Sequence, residues 1–400
     1  MNKRFFQPDS ASTFKFSVMQ LLYWGVYTSF YNYCVMYFTS PEGQGISVAH
    51  AGFAISAAFL TSIIGRLFWG VVSDTRNTCR RIAIIMAVLQ WLVILLFCLH
   101  LNVVLIILLM SVLGFVMMPI PPVLDSWTLK RIEQQESQGE KPMLYTFVRM
   151  WSSFTTAVFS LLVGKLLARF GYCTIFICAS VFTVLFLFVL AVTGDTKGGV
   201  SSQKISQDFK NLFFQRSFLL FLAGCLLLGM AVQSANSFMS IVLRSVGGSD
   251  SDLGLMLFMA IIGEVPMMLL SGYFHKKIGP RNCFFISIGL YIMLFILLLS
   301  ARTPAMACFA MLFSGLAYGN FLPSFRIYSA DCAPAELRTS ALSITDGVFG
   351  GVAAMIGTMF GGVLIDLLGV KPFLCIGFGM TLLALVLFLL LRRSVKRQAV

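Results

Sequence analysis

The sequence predicts an all-α membrane protein, with twelve transmembrane helices in two six-helix, pseudo-symmetric bundles and both termini cytoplasmic. Three observations carry this reading. The 400 residues are 58% apolar and 11% charged, with a mean hydropathy of +0.89, whereas a soluble domain is about a quarter charged. Apolar runs of bilayer-spanning length recur along the chain. One short loop is also written twice, about half a chain apart, as expected of a duplicated membrane architecture.

The apolar spans run 16–39, 50–73, 82–101, 103–129, 144–169, 172–193, 217–243, 252–274, 282–300, 304–330, 338–367 and 371–391. They lack the alternation of barrel strands, and a helix satisfies its own backbone hydrogen bonds in lipid. The first is rich in Tyr and has no small-residue cleavage site, so it reads as retained rather than as a removed signal. Between spans two and three lies a basic loop that starts at Gly70 and contains Asp74, Arg76, Arg80 and Arg81. Its echo between spans eight and nine starts at Gly272 and contains Lys276, Lys277 and Arg281. Gly164 to Gly171 is likewise matched by Gly362 to Gly369, and the prolines at 121–122 by Pro323. The polar stretch 195–216 reads as a mobile or partly helical cytoplasmic linker. It divides an N-terminal bundle, 1–194, from a C-terminal bundle, 217–400.

A net charge of +13, from 29 Lys and Arg against 16 Asp and Glu, could suggest nucleic acid. Placement argues otherwise. With the N-terminus inside, most of the basic residues fall at cytoplasmic ends, which marks them as orientation signals and headgroup contacts. The ten Cys are scattered without a CxxC pair, and none of the His residues lies mid-helix, so no metal site is expected. Neither a Walker A lysine motif nor a GxGxxG signature is present, which excludes ATP hydrolysis within the chain. The chain therefore reads as a monomeric non-enzyme of the cytoplasmic (inner) membrane with no cofactor. Its expected partners are a small-molecule substrate, a proton as co-substrate and the lipid bilayer, but not nucleic acid.

An ionisable group deep in a membrane helix costs roughly 2.5–3.5 kcal/mol on insertion scales, so each one needs a reason. Five stand out: Asp125, Arg149, Glu264, Arg326 and Asp346. An offset of 201 places Asp125 on Arg326, and one of 197 places Arg149 on Asp346. Two related ion pairs are expected, Asp125–Arg149 and Arg326–Asp346, because pairing lowers the cost of burial. Glu264 has no basic neighbour in its own segment and sits between Gly263 and Pro266, an interruption that often borders a cavity. It is the expected proton carrier, with Asp346 as a second candidate. Tyr23, Tyr27 and Tyr31, spaced i, i+4, i+8, give the first segment a polar stripe that reads as a binding wall. Gln233 and Asn236 in segment seven, Tyr318 and Asn320 in segment ten, and Trp151 beside Arg149 extend it.

The duplicated Gly70-x-x-x-Asp74-x-Arg76 loop, with Arg80 and Arg81, resembles the signature of the major facilitator superfamily. The resemblance covers the whole chain and implies the two-bundle major facilitator fold, with Asp74 and the nearby basic residues acting in conformational switching. Pro121-Pro-Val-Leu-Asp125, Val148-Arg149-Met150-Trp151 and Ile262-Gly263-Glu264-Val265 are similar to the lactose and phenylpropionate permease group. That likeness implies solute binding at Asp125, Arg149 and Glu264, with Glu264 also linked to proton coupling. The group's stacking Trp is Thr156 here, and its segment-ten His and Glu have no counterpart, which leaves coupling on Glu264 with Asp346. The expected function is alternating-access proton symport of a saccharide, a nucleoside-like molecule or an aromatic acid. A proton-coupled exporter and a non-transporting membrane sensor are the rival readings.

Overall fold

The computed structural model describes residues 11–76, 78–139, 141–195, 216–332 and 338–398, and every regular element among them is helical. Residues 196–215, most of the expected linker, lie outside the described residues, as does the side chain of Asp74. The first half holds α1 (Ala11–Phe30), α2 (Cys34–Thr39), α3 (Val48–Arg76), α4 (Cys79–Leu96), α5 (Val103–Met117), α6 (Ile120–Ser137), α7 (Tyr145–Phe170) and α8 (Cys173–Val192). The second holds α9 (Arg216–Ser237), α10 (Met239–Ser245), α11 (Asp250–Ile278), α12 (Pro280–Ser300) and α13 (Pro304–Asp331). It closes with α14 (Arg338–Gly347), a π-helical turn (Val348–Val352), α15 (Ala353–Leu368) and α16 (Val370–Gln398).

Eleven stretches among the described residues are long and apolar enough to cross a membrane. The expected first span, 16–39, is not one of them. It breaks between Phe30 and Cys34, and α1 itself is diluted by Lys15, Gln20 and several hydroxyl residues. Its counterpart breaks in the same way, between Ser237 and Met239.

Local chemistry explains most boundaries. The Thr78 hydroxyl accepts the Arg81 N–H at 3.3 Å, and the Asn102 side chain accepts the Leu105 N–H at 2.9 Å. Each satisfies an orphan donor in a first helical turn. Ser249 and Asp252 form a reciprocal capping box at the start of α11, the Ser249 N–H reaching the Asp252 carboxylate at 2.8 Å. The expected fourth span divides at Met118–Pro119, where three prolines within four residues supply no N–H to the preceding carbonyls. Gly171 and Gly279 end α7 and α11 at φ of 73° and 84°, a region that residues with a Cβ seldom adopt.

Within each half, glycines let backbones approach: α5 lies on α3 through Gly114, and α13 lies on α11 through Gly263, Gly315 and Gly319. Between halves, α7 packs on α11 and α3 on α15. These contacts concentrate toward one end. There a Cβ on Gly362 would come within 3.1 Å of the Gly52 Cα, and one on Gly164 within 3.3 Å of the Gly254 Cα. The Asp366 carboxylate accepts the Val48 and Ala49 N–H groups at 3.1 and 2.7 Å. Arg244 donates to the Tyr172 hydroxyl at 2.8 Å. At the other end Arg326 and Asp346 remain 57% and 45% exposed, so the space between the halves opens to solvent there.

A Cβ on Gly315 would overlap the Ala260 carbonyl oxygen, whereas Gly289 has no neighbour within 4 Å. Gly315→Val should therefore cost about 1–3 kcal/mol through overpacking, while Gly289→Ala keeps or raises stability. Thermal unfolding in detergent micelles reads the difference; equal midpoints would refute this packing.

Candidate functional site

A cavity of about 570 Å³ lies between the halves and is lined by residues of both. The first half supplies Tyr27, Tyr31, Asn32, Arg66 and Thr156. The second supplies Gln233, Asn236, Ser240, Glu264, Tyr318, Arg326 and Asp346. The Tyr27 and Tyr31 rings stack on each other at 4.9 Å and 28°, forming one flat wall. The breaks in α1–α2 and α9–α10 fall beside Asn32 and Ser237, so both interrupted helices turn polar groups into this space.

Tyr23 and Asn320, expected in the wall, face elsewhere. Tyr23 is 1% exposed and donates to the Met117 carbonyl at 2.9 Å. Each i+4 step drifts about 40° around a helix, so Tyr23 and Tyr31 stand about 80° apart and the stripe rotates out of the cavity. The Asn320 amide donates to the Cys283 carbonyl at 2.7 Å and the Ser287 hydroxyl at 2.9 Å, which ties α13 to α12. Two residues separate it from Tyr318, which puts them on opposite faces. Trp151 packs edge-on against Phe147 and Phe154 and does not line the cavity.

The charged pairs take two different forms. Asp125 and Arg149, expected to touch, are bridged by Gln20. Its amide nitrogen donates to Asp125 at 3.0 Å, and its oxygen accepts from Arg149 at 3.2 Å. The Arg149 guanidinium also lies over the Trp24 ring at 5.3 Å. An amide carries one donor and one acceptor end, so it joins opposite charges without bringing them into contact. Arg326 and Asp346 approach directly at 3.9 Å, but in solvent, where such a pair contributes at most about 1 kcal/mol.

Glu264 lines the cavity with no ion pair or hydrogen bond among the described residues. Two residues on, Pro266 lies inside α11 and offers no N–H to the Ile262 carbonyl. Tyr31 and Ser240 line the cavity with buried hydroxyls that have no hydrogen-bond partner among the described residues. Buried polar groups normally find a partner, so these are the atoms a solute would satisfy.

The basic loop works at a distance from this cavity. The Arg80 side chain donates to the last carbonyls of α8, Leu190 at 3.0 Å and Ala191. Asp195 accepts from the Thr78 hydroxyl and from the Arg80 N–H. A cation on the C-terminus and a carboxylate near an N-terminus both suit the helix dipoles. Gly70 has no neighbour within 4 Å, and Arg76 is exposed. Gln20 and Asn32, polar amides on the Tyr-bearing first segment, carried a sequence signal for this region, and Asn32 lines the cavity. Arg66 and Ser240 lay outside the residues expected to form the site.

Gln20→Leu should lower stability by about 2–3 kcal/mol, because hydrogen bonds to charged groups contribute about 1.5–3 kcal/mol each. In a double-mutant cycle with Asp125→Asn the losses should be non-additive. Simple additivity in unfolding titrations would mean that the amide bridge carries no energy.

Residues 13–375 match the family model described as the MFS_1 like family. An uncharacterized transporter of Bacillus subtilis (strain 168), YwbF, is 24% identical over 360 residues, covering 87% of each chain. A probable 3-phenylpropionic acid transporter of Escherichia coli (strain K12) is 24% identical over 362 residues, 88% of this chain and 93% of that one. The nucleoside transporter NupG has the same fold, at a TM-score of 0.83 with 16% identity, covering 97% of this chain and all of that one. With a helical chain of membrane-length spans around a two-sided cavity, this protein belongs to the MFS_1-like family of membrane transporters.

Proposed function

We propose that the protein carries one small, ring-bearing polar solute across the cytoplasmic membrane by alternating access, in symport with a proton. The observation that supports this best is the cavity itself. It draws its wall from both halves, is closed at one end by Asp366, Gly52 and Gly164, and opens at the other. Rocking the halves about that wall would exchange the open end.

In this reading α1 and α2 form a twelfth crossing, both termini are cytoplasmic, and 1–194 and 217–400 move as two six-helix units of a monomer. The open end is then the cytoplasmic one, since Arg76, Lys276 and Lys277 lie at that end of their helices. Tyr27 and Tyr31 supply a stacking face, and Gln233, Asn236, Tyr318 and Ser240 supply hydrogen-bonding groups. That combination suits a planar or pyranose ring with polar substituents. Saccharides, nucleosides and aromatic acids all fit this description, and NupG and the phenylpropionic acid transporter handle two of these classes. Asp125 and Arg149, locked by Gln20, position the first half's helices next to the site.

Glu264 would carry the proton. It is a cavity-facing carboxylate without a cationic partner in contact, so protonation costs no ion pair. Asp346, held only by an exposed Arg326, is the second group able to exchange protons with solvent.

In proteoliposomes, Glu264→Gln should keep solute counterflow while losing accumulation driven by a pH gradient. Retained gradient-driven uptake in that variant would move coupling to another group. Tyr27→Ala should raise KM about tenfold, equivalent to about 1.4 kcal/mol of lost stacking, and an unchanged KM would remove the ring from the binding wall.

A further inference from the structure

Four charged side chains line the cavity: Arg66, Glu264, Arg326 and Asp346. They are not equally satisfied. Arg326 and Asp346 face each other at 3.9 Å within the second half. Arg66, on α3 in the first half, has neither an ion pair nor a hydrogen bond among the described residues. Its position is nevertheless well defined. The neighbouring Gly65 seats α3 against α5, where a Cβ would come within 3.0 Å of Pro119, and the Trp69 indole donates to the Phe115 carbonyl at 3.1 Å. With that face of α3 turned to α5, the next residue projects about 100° away, into the cavity. Its guanidinium lies within electrostatic range of Tyr27 and of Asp346.

With all four ionised the charges of the wall cancel, and they cease to do so once Glu264 takes up the proton of the reading above. With Glu264 protonated, Arg66 and Arg326 against Asp346 leave one positive charge. Arg149 also acts on Glu264 from outside the wall, but Gln20 and the Trp24 ring already hold it. A neutral sugar would offer the exposed Arg66 guanidinium hydroxyl acceptors but no countercharge. A carboxylate would give it a charge-assisted, two-pronged partner.

We propose that Arg66 is the anion-recognising residue of the cavity and that the solute is a ring-bearing monoanion. Its ring lies along the stacked Tyr27 and Tyr31, and its carboxylate lies on the Arg66 guanidinium. This rests on the reading above that the cavity is the solute site. It narrows three solute classes to one and assigns specificity to a residue of the first half.

The test uses the full-length protein in proteoliposomes with matched acid and amide pairs, 3-phenylpropionate with its amide and nicotinate with nicotinamide. Uridine and maltose serve as neutral ring solutes. At least one acid should bind and undergo counterflow, with its amide at least tenfold weaker. Arg66→Gln should abolish that discrimination, and Arg66→Lys should keep some of it. Arg66 has no ion-pair or hydrogen-bond partner among the described residues to orphan, and an unchanged unfolding midpoint checks that both variants fold. Equal affinity for acid and amide, or an unchanged preference in Arg66→Gln, would overturn the assignment. Transport of uridine or maltose alone would overturn the monoanion while leaving the transporter reading intact. Counterflow of no solute in the panel would bring down both.

Discussion

Hydrocarbon offers no hydrogen bonds, and the rest of the structure follows from that. Each backbone amide must find its partner inside the chain, which makes every described regular element a helix and confines breaks within the spans to special places, such as the buried turn at Met118–Pro119 and the cavity wall. The break in α1–α2 and the one in α9–α10 both fall on the cavity side, beside Asn32 and Ser237. The same constraint sorts the ionisable side chains. Asp125 and Arg149 in the first half are tied together through Gln20, while Arg326 and Asp346 in the second lie where water reaches them.

The two halves therefore share a plan and differ in how firmly they hold charge. Asp125 and Arg149 sit in a network of an amide and an indole ring, and rearranging it would strand a buried ion. Arg326 and Asp346 sit in solvent, where the pair is weak and can be remade at little cost. The stiff network suits a scaffold and the loose pair suits a surface that must change neighbours. Close glycine contacts between α3 and α15 give both halves a shared axis without side chains that would jam.

Much of this was legible in the sequence because it depends on composition and period. Membrane-length apolar runs, the duplicated basic loop and isolated charges such as Glu264 are local signals. What stayed hidden depends on rotation and depth. The Tyr stripe looks continuous on paper, yet 3.6 residues per turn carries Tyr23 away from Tyr31 and sets Asn320 opposite Tyr318. The repeat offset aligned Asp125 with Arg326, but no offset shows that an amide from another helix stands between two charges. Arg66 stands near the end of its span with no local signal, and only the position of α3 turns it into the cavity.

The carboxylate of Asp366 belongs to one half, and the helix it caps belongs to the other. The first turn of α3 therefore rests on an acceptor from outside its own half. In the alternating-access reading, drawing the halves apart at that end would return the Val48 and Ala49 amides to water and leave the first turn of α3 with the Ser47 hydroxyl on the His50 N–H as its remaining cap. Opening such a gate would include the partial fraying of a helix start, a share on the scale of one helix cap, about 1 kcal/mol, beside the glycine-mediated packing that closes the same end.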